Sequence, residues 1–123
     1  MNREIKFRGF QKSWIYGGIS IFENVATIFD VNCIANSAYE VNINSVGQFT
    51  GSIDNKGVEI YEGDIVLMPE GFSPRNREIV FSEYGCWYMG RLGIDFGNLK
   101  ANGFVECEII GNVFENPELI HRY

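Results

Sequence analysis

Histidine is almost missing from this chain and cysteine is scarce: 123 residues include one His and three Cys. His121 stands near the end, Cys33, Cys86 and Cys107 lie far apart, and no C-x-x-C pair occurs. This argues against a structural zinc site. An odd set of thiols cannot pair completely, so free thiols in a reducing cytoplasm are expected. Proline is also rare, at three residues. Stretches rich in Ala, Leu, Lys and Glu are few, which leaves little material for long helices. No run approaches the ~20 apolar residues of a membrane span, and Met1-Asn2-Arg3-Glu4 does not open a signal peptide. The expectation is a soluble protein of the cytoplasm, with no metal and no cofactor.

Positive charge is short as well. The net charge is −6, spread unevenly. Residues 1–12 hold four bases and one acid, whereas residues 13–71 hold one base, Lys56, and eight acids. An acidic middle of this kind opposes a groove binder of duplex DNA, whose affinity comes largely from neutralised phosphates. The basic N-terminal segment is the exception, and solvated charges on an edge strand explain it without a ligand.

What is present is material for a core. Hydrophobic residues make up 46% and aromatics 15% of the chain, which excludes disorder. A chain of this size buries roughly two thirds of its unfolded surface, and fourteen glycines suit tight turns between short strands.

The densest local instructions run from Gly47 to Val66. Asp54 to Gly57 reads as a polar turn, Glu59 to Tyr61 as a short strand, Glu62-Gly63-Asp64 as a bend, and Ile65 to Met68 as a buried strand that Pro69 ends. Upstream, Ile5 and Phe7 alternate with Lys6 and Arg8, and Trp14 to Tyr16 returns beside them as a hairpin that Gly17-Gly18 interrupts. Val25 to Phe29, Val31 to Ala35 and Tyr39 to Ile43 read as further strands. Downstream, Glu78 to Tyr84 and Cys86 to Met89 form a second hairpin. Residues 91–103 read as a loop or a single helical turn near Asn98 to Ala101. Phe104 to Phe114 reads as one strand with Gly111 at a bulge, and Asn116-Pro117-Glu118 as a capped start of a helix one or two turns long. The fold class expected is mainly β: one domain over residues 1–123, with N-terminal strands over 1–44 flanking a small curled sheet or barrel of the Src-homology type over 45–123, and a short C-terminal helix.

Three ordered motifs resemble a known family. They are Arg3, Ile5-Lys6-Phe7-Arg8-Gly9 with Trp14 and Tyr16-Gly17 at the start; Val46 to Gly51, then Asp54, Gly57 and Glu59 to Val66 in the centre; and Ile110 to Leu119 at the end. This pattern is similar to that of the YopX family of phage and prophage proteins. Ser52 stands where the family usually has Leu, and Ser45 where Thr is common. The resemblance implies a phage or prophage origin and a mostly β fold, and it implies no chemistry.

Several side chains invite functional readings. Glu59, Glu62 and Asp64 are close enough to suggest a hydrolase pair, but a bend between strands scatters such carboxylates over different faces. Gln48 and Thr50, and Asn112 with Glu115 and Asn116, could meet a ligand or tie down a loop. Cys86 has no histidine in range to act as base. Trp14, Tyr16, Trp87 and Tyr88, aided by Lys6, Arg8 and Lys12, could form a platform for single-stranded nucleic acid. The reading adopted is a non-enzymatic accessory protein that binds another protein or itself, its candidate surface being Lys6, Arg8, Lys12, Trp14 and Tyr16; the alternative is a nucleic-acid-associated module built on the same basic hairpin. No small-molecule substrate and no membrane partner is indicated. The chain should melt at the same temperature with and without chelator or mild reductant; a fall with either, in a calorimetric scan, would contradict the ligand inventory.

Overall fold

In a computed structural model the described residues are 4–30, 37–81, 85–90, 94–95, 100–101 and 103–120. The chain divides into two compact units, residues 1–49 and 50–123. Both are built of antiparallel strands, so the mainly β reading holds.

The first unit contains β1 (Phe7–Phe10), β2 (Trp14–Phe22), β3 (Val25–Asp30) and most of β4 (Ala38–Ile53). The hairpin of β1 and β2 forms as the alternation predicts, with Phe7 opposite Gly17 and Phe10 opposite Trp14. Gly17-Gly18 does not interrupt β2, which continues to Phe22 and pairs with β3 through a two-residue loop. In that loop Glu23 and Asn24 take φ of 48° and 67°, the sign that a type I′ turn needs to match the twist of its strands. β4 pairs with β3 and then with β1, so strand pairing closes into a ring, β1-β2-β3-β4-β1. Ile15, Ala26, Ile28 and Val41 fill the inner face, with Phe7, Ile19, Tyr39 and Val46 packed against them. Gly9 lies where β1 passes over Val41: a Cβ on Gly9 would stand 2.4 Å from Val41 Cγ2.

The alternation of Ile5 and Phe7 against Lys6 and Arg8 does not set burial as expected. Ile5 is exposed and Arg8 is buried, because Arg8 is paired across the sheet with Gly47, whose missing side chain leaves room for the guanidinium.

The second unit holds the end of β4, then β5 (Glu59–Tyr61), β6 (Asp64–Leu67), β7 (Asn76–Phe81), β8 (Trp87–Met89), β9 (Ile94–Asp95), β10 (Lys100–Ala101), β11 (Phe104–Val105) and β12 (Glu108–Asn112). β12-β6-β7-β8-β9 form one five-stranded sheet, β10 and β11 a separate pair, and β5 lies beside β4. Ile60, Val66, Met68, Ile79, Met89, Val105 and Cys107 form the core, with Phe72, Trp87 and Ile109 against it. β6 lies between β12 and β7. Asp64, Ile65 and Val66 are buried in succession, which is why the strand reads as an unbroken apolar run.

Three expectations need correction here. The strand over 104–114 is broken in two, because the Cys107 N–H turns back to the Val105 carbonyl at 2.8 Å. The helical turn near residues 98–101 is not formed at Lys100–Ala101, which is strand; residues 98 and 99, like the strand expected over 31–35, lie outside the described residues. The C-terminal helix is a single 3-10 turn, Pro117–Leu119, and Asn116 does not cap it. The Asn116 Oδ1 instead accepts the Asn112 N–H at 3.2 Å. The bulge at Gly111 is present as a register shift between Ile109 and Gly111. Asn112, just past it, is buried.

Two substitutions test the packing. Ile65, fully buried, should lose about 2–5 kcal/mol on change to Ala. Gly9→Ala should cost roughly 1–3 kcal/mol through overpacking against Val41. Urea melts of the two variants check both values.

Candidate functional site

The basic and aromatic residues singled out above lie at one end of the strand ring. Arg8 is paired with Tyr16 and Phe10 with Trp14, so these four share the outer face of the β1–β2 hairpin. The Arg8 guanidinium stacks on the Trp14 ring, 4.5 Å from its centroid. Phe10 meets the same ring edge-on at 5.3 Å. The Lys6 ammonium stands over Phe49 at 5.0 Å and 3.1 Å from Glu4 Oε1. Lys12 is exposed in the turn between β1 and β2. The structure therefore brings Lys6, Arg8, Trp14 and Tyr16 together, but with the cations engaged by neighbours of their own: a cation over each ring stabilises about 0.5–2 kcal/mol of local structure. Trp87 and Tyr88 belong to the other unit, where Trp87 packs edge-on against Phe81 at 4.7 Å.

A second feature of the ring was not singled out by the sequence reading. At the far end of the β2–β3 hairpin, Ile21 is 56% exposed, Phe22 73%, Val25 44% and Phe29 49%. Phe22 is opposite Val25, and Phe29 is opposite Gly18, so these three rise from the outer face of the hairpin, with the Ser20–Thr27 pair between Phe29 and the other two, while Ile21 is on the opposite face. The signal was legible in principle: Gly18-Ile19-Ser20-Ile21-Phe22 carries no charge on either side chain alternation, and a half-buried strand would show a polar face.

The carboxylates and amides of the central and closing motifs hold the backbone in place. Asp54 is the most heavily used. Its Oδ1 accepts the N–H groups of Lys56 and Val58, each at 2.9 Å, and its Oδ2 accepts the Ile109 N–H at 3.0 Å. Gly57 follows with φ of 80°, closing the turn as read from the sequence. Asp64 Oδ2 accepts the Tyr61 N–H at 2.7 Å across the bend. Glu59 Oε1 lies 3.4 Å from the Tyr61 hydroxyl, and Glu62 is half-buried. Thr50 donates its hydroxyl to the Ile60 carbonyl at 2.8 Å, which is the loop-tying alternative for that residue. Asn112 accepts from the Glu115 N–H at 2.8 Å and donates to Glu115 Oε1 at 3.0 Å. Ser45, in place of the common Thr, uses the hydroxyl both have in common: it accepts the Phe10 N–H at 2.8 Å and donates to the Asn42 carbonyl at 2.6 Å.

Beside this scaffold the second unit has an open groove of about 430 Å³, with Met68, Phe104 and Cys107 in its wall and Arg75, Glu106 and Glu108 around it. Glu108 is ion-paired with Lys56 and holds that ammonium above its usual range. Burial, reinforced by Asp54 and Asp64, pushes the Cys107 thiol up to about 12, so it is a neutral packing group at physiological pH. Among the described residues no cluster of His, Cys, Asp and Glu could hold a metal ion, and no helix is long and apolar enough to cross a membrane.

Two β units with structural carboxylates and an exposed hairpin face define a small β-sheet protein whose motifs are spent on shape. The family model described as YopX protein matches residues 6–121, and the chain belongs to the YopX family. No curated protein matches it. Among solved structures it is similar to protein EF1440 from Enterococcus faecalis, with a TM-score of 0.61, 23% identity, and coverage of 98% of this chain and 100% of the other. At that identity the likeness shows the fold alone.

Two outcomes follow for the scaffold. Asp54→Ala leaves three N–H groups without their acceptor and should destabilise by about 2–5 kcal/mol, read in a denaturant melt. Cys107 keeps its proton in the fold up to about 12 and loses it near 9.0 once unfolded. Its contribution to stability is therefore complete below pH 9.0 and is lost as the pH rises towards 12. The native protein at pH 8 should leave Cys107 unalkylated by iodoacetamide while urea exposes it, which peptide mass mapping reads directly.

Proposed function

We propose that this chain is a non-enzymatic accessory protein of a phage or prophage, working in the cytoplasm of the host bacterium by binding protein, itself included, through the N-terminal strand ring. The observation that supports this reading best is the outer face of the β2–β3 hairpin, where Phe22, Val25 and Phe29 stand largely in solvent. Single exposed apolar residues are ordinary; three on one face of one hairpin are what interaction surfaces present. The phage origin is supported by membership of the YopX family and by the resemblance of the three motifs. The non-enzymatic reading is supported by the use made of the carboxylates: Asp54 and Asp64 accept backbone N–H groups of their own turns.

The candidate surface of Lys6, Arg8, Trp14 and Tyr16, with Lys12 in the turn, lies on the same outer face as Phe22, Val25 and Phe29, by strand parity along β1 and β2. It fits the rim of a protein interface better than a nucleic-acid platform. Arg8 and Lys6 are already held by Trp14 and Glu4, and a net charge of −6 repels a polyanion.

The test is a pair of exposed-face changes, Phe22→Ser with Phe29→Ser. Thermal stability should stay within about 0.5 kcal/mol, because neither ring is buried. Association with its partner, followed as phage yield and as quantitative recovery on a tagged copy, should weaken by about tenfold or more. A doubly substituted protein that keeps both readouts at the wild-type level removes this reading.

A further inference from the structure

Among the described residues, part of β2 in the ring of β1 to β4 has a strand on one side only. β1 covers β2 only from Trp14 to Gly17. Beyond that, among the described residues, no strand lies on the outer side of Gly18 to Phe22. Lys6, just ahead of β1, does not fill the place, because its carbonyl accepts the Phe49 N–H at 2.8 Å on the β4 side. The two-residue loop fixes which backbone groups face outward. Phe22 and Val25 flank it as a hydrogen-bonded pair, so Phe22, Ser20 and Gly18 direct their N–H and C=O groups to β3. Ile19 and Ile21 direct theirs away from β3, to the open side. Natural edges are blunted by Lys, Pro, bulges or charge, and Gly18-Ile19-Ser20-Ile21-Phe22 has none of these.

We infer that this edge pairs antiparallel with the same edge of a second copy of the chain, about a two-fold axis through Ser20. The inference rests on the protein-binding reading above and names the partner and the register. The self-complementarity is in the spacing. With Ser20 facing Ser20 of the other copy, Ile19 faces Ile21 and Ile21 faces Ile19, and each such pair exchanges both N–H···O=C bonds. The same register explains the exposed side chains. Phe22 of one copy comes opposite Gly18 of the other. Gly18 has open space where a Cβ would be, and Phe29 is its neighbour on β3. Phe22 then lies beside Phe29 of the other copy, and the two-fold axis repeats the contact. On the opposite face Ile21, 56% exposed in one chain, comes beside Ile19. The loop of each copy, carrying Glu23, ends at the Phe7 end of the other copy's β1, next to Lys6, so charges of opposite sign face each other. A heterologous peptide could use the same backbone groups, but it would not match this alternation of glycine and phenylalanine with itself.

Three measurements on the full chain decide the matter. Sedimentation equilibrium at about 100 μM should give twice the 14.0 kDa chain mass. Ser20→Cys should form a covalent dimer on mild oxidation, above the level of the unsubstituted chain, because non-hydrogen-bonded antiparallel pairs bring Cα atoms to about 4.5 Å. Thr27→Cys, one strand further from the axis, should not. Ile21→Pro removes an outward N–H that the monomer does not use and should give a folded monomer. A wild-type monomer at that concentration overturns the inference. So does a dimer in which Ser20→Cys stays uncrosslinked. If Ile21→Pro fails to fold, the cysteine pair alone decides. Either negative leaves the wider protein-binding reading in place, since that falls only if the Phe22→Ser, Phe29→Ser protein keeps its biological readouts.

Discussion

Much of the second unit depends on one carboxylate. Asp54 sits at the start of a tight turn, yet its two oxygens reach in different directions, one to Lys56 and Val58 within the turn and one to Ile109 on β12. A local turn is thereby fastened to an edge strand that is remote in sequence. Charge-assisted bonds of this kind are roughly twice as strong as neutral ones, and Asp54 is almost wholly buried, so they are not shared with water. The Asn55 N–H adds a bond to the Cys107 carbonyl at 3.0 Å, so the break between β11 and β12 is held from the same turn. β12 has β6 on one side, and on the other its Ile109 and Asn112 N–H groups end on Asp54 and Asn116 side chains. Side chains, not another strand, close that edge.

The contrast with β2 is instructive. In the second unit the exposed backbone of β12 is consumed by acceptors that the family motifs supply. In the first unit β1 lies between β2 and β4, β3 lies between β2 and β4, and β2 outruns β1 by five residues, Gly18 to Phe22. Among the described residues the chain thus contains an edge closed by side chains and an edge that no strand covers, with exposed apolar residues beside the second.

Legibility in the sequence followed the range of the contacts. Asp54 to Gly57, β5 and β6 could be read because each is punctuated by its own Gly, Asp or Pro, and because Ile65-Val66-Leu67 is apolar on both faces. The bulge at Gly111 was legible for the same reason. Arg8 was misread because its burial depends on Gly47, which is brought opposite it only when the ring closes, and no local pattern announces that partner. The end of the chain failed differently. Asn116 and Pro117 are a sound helix start, but the asparagine oxygen is taken by the Asn112 N–H, and what remains is a 3-10 turn. Of the candidate surface, Trp14 and Tyr16 were correctly paired with the basic strand, while the apolar hairpin end was read only as strand material. Alternation shows that a strand exists, and not how far its partner extends.

The order in which pairings become available has a consequence for synthesis on the ribosome. The strand ring needs nothing beyond Gln48, the last residue of β4 that pairs with β1, so it can close while most of the second unit is still inside the ribosome. The second unit has no such early stopping point. β6 gains β7 soon after it emerges, but its other neighbour, β12, and the Ile109 N–H that satisfies Asp54, arrive near the end of translation. Until then Asp54 lacks one of its three N–H donors, and β6, with Ile65 and Val66, shows one open side. The nascent protein therefore passes through a stage in which a finished ring is tethered to an unfinished sheet. It is at that stage, more than in the mature protein, that chaperone capture and misassembly should concentrate.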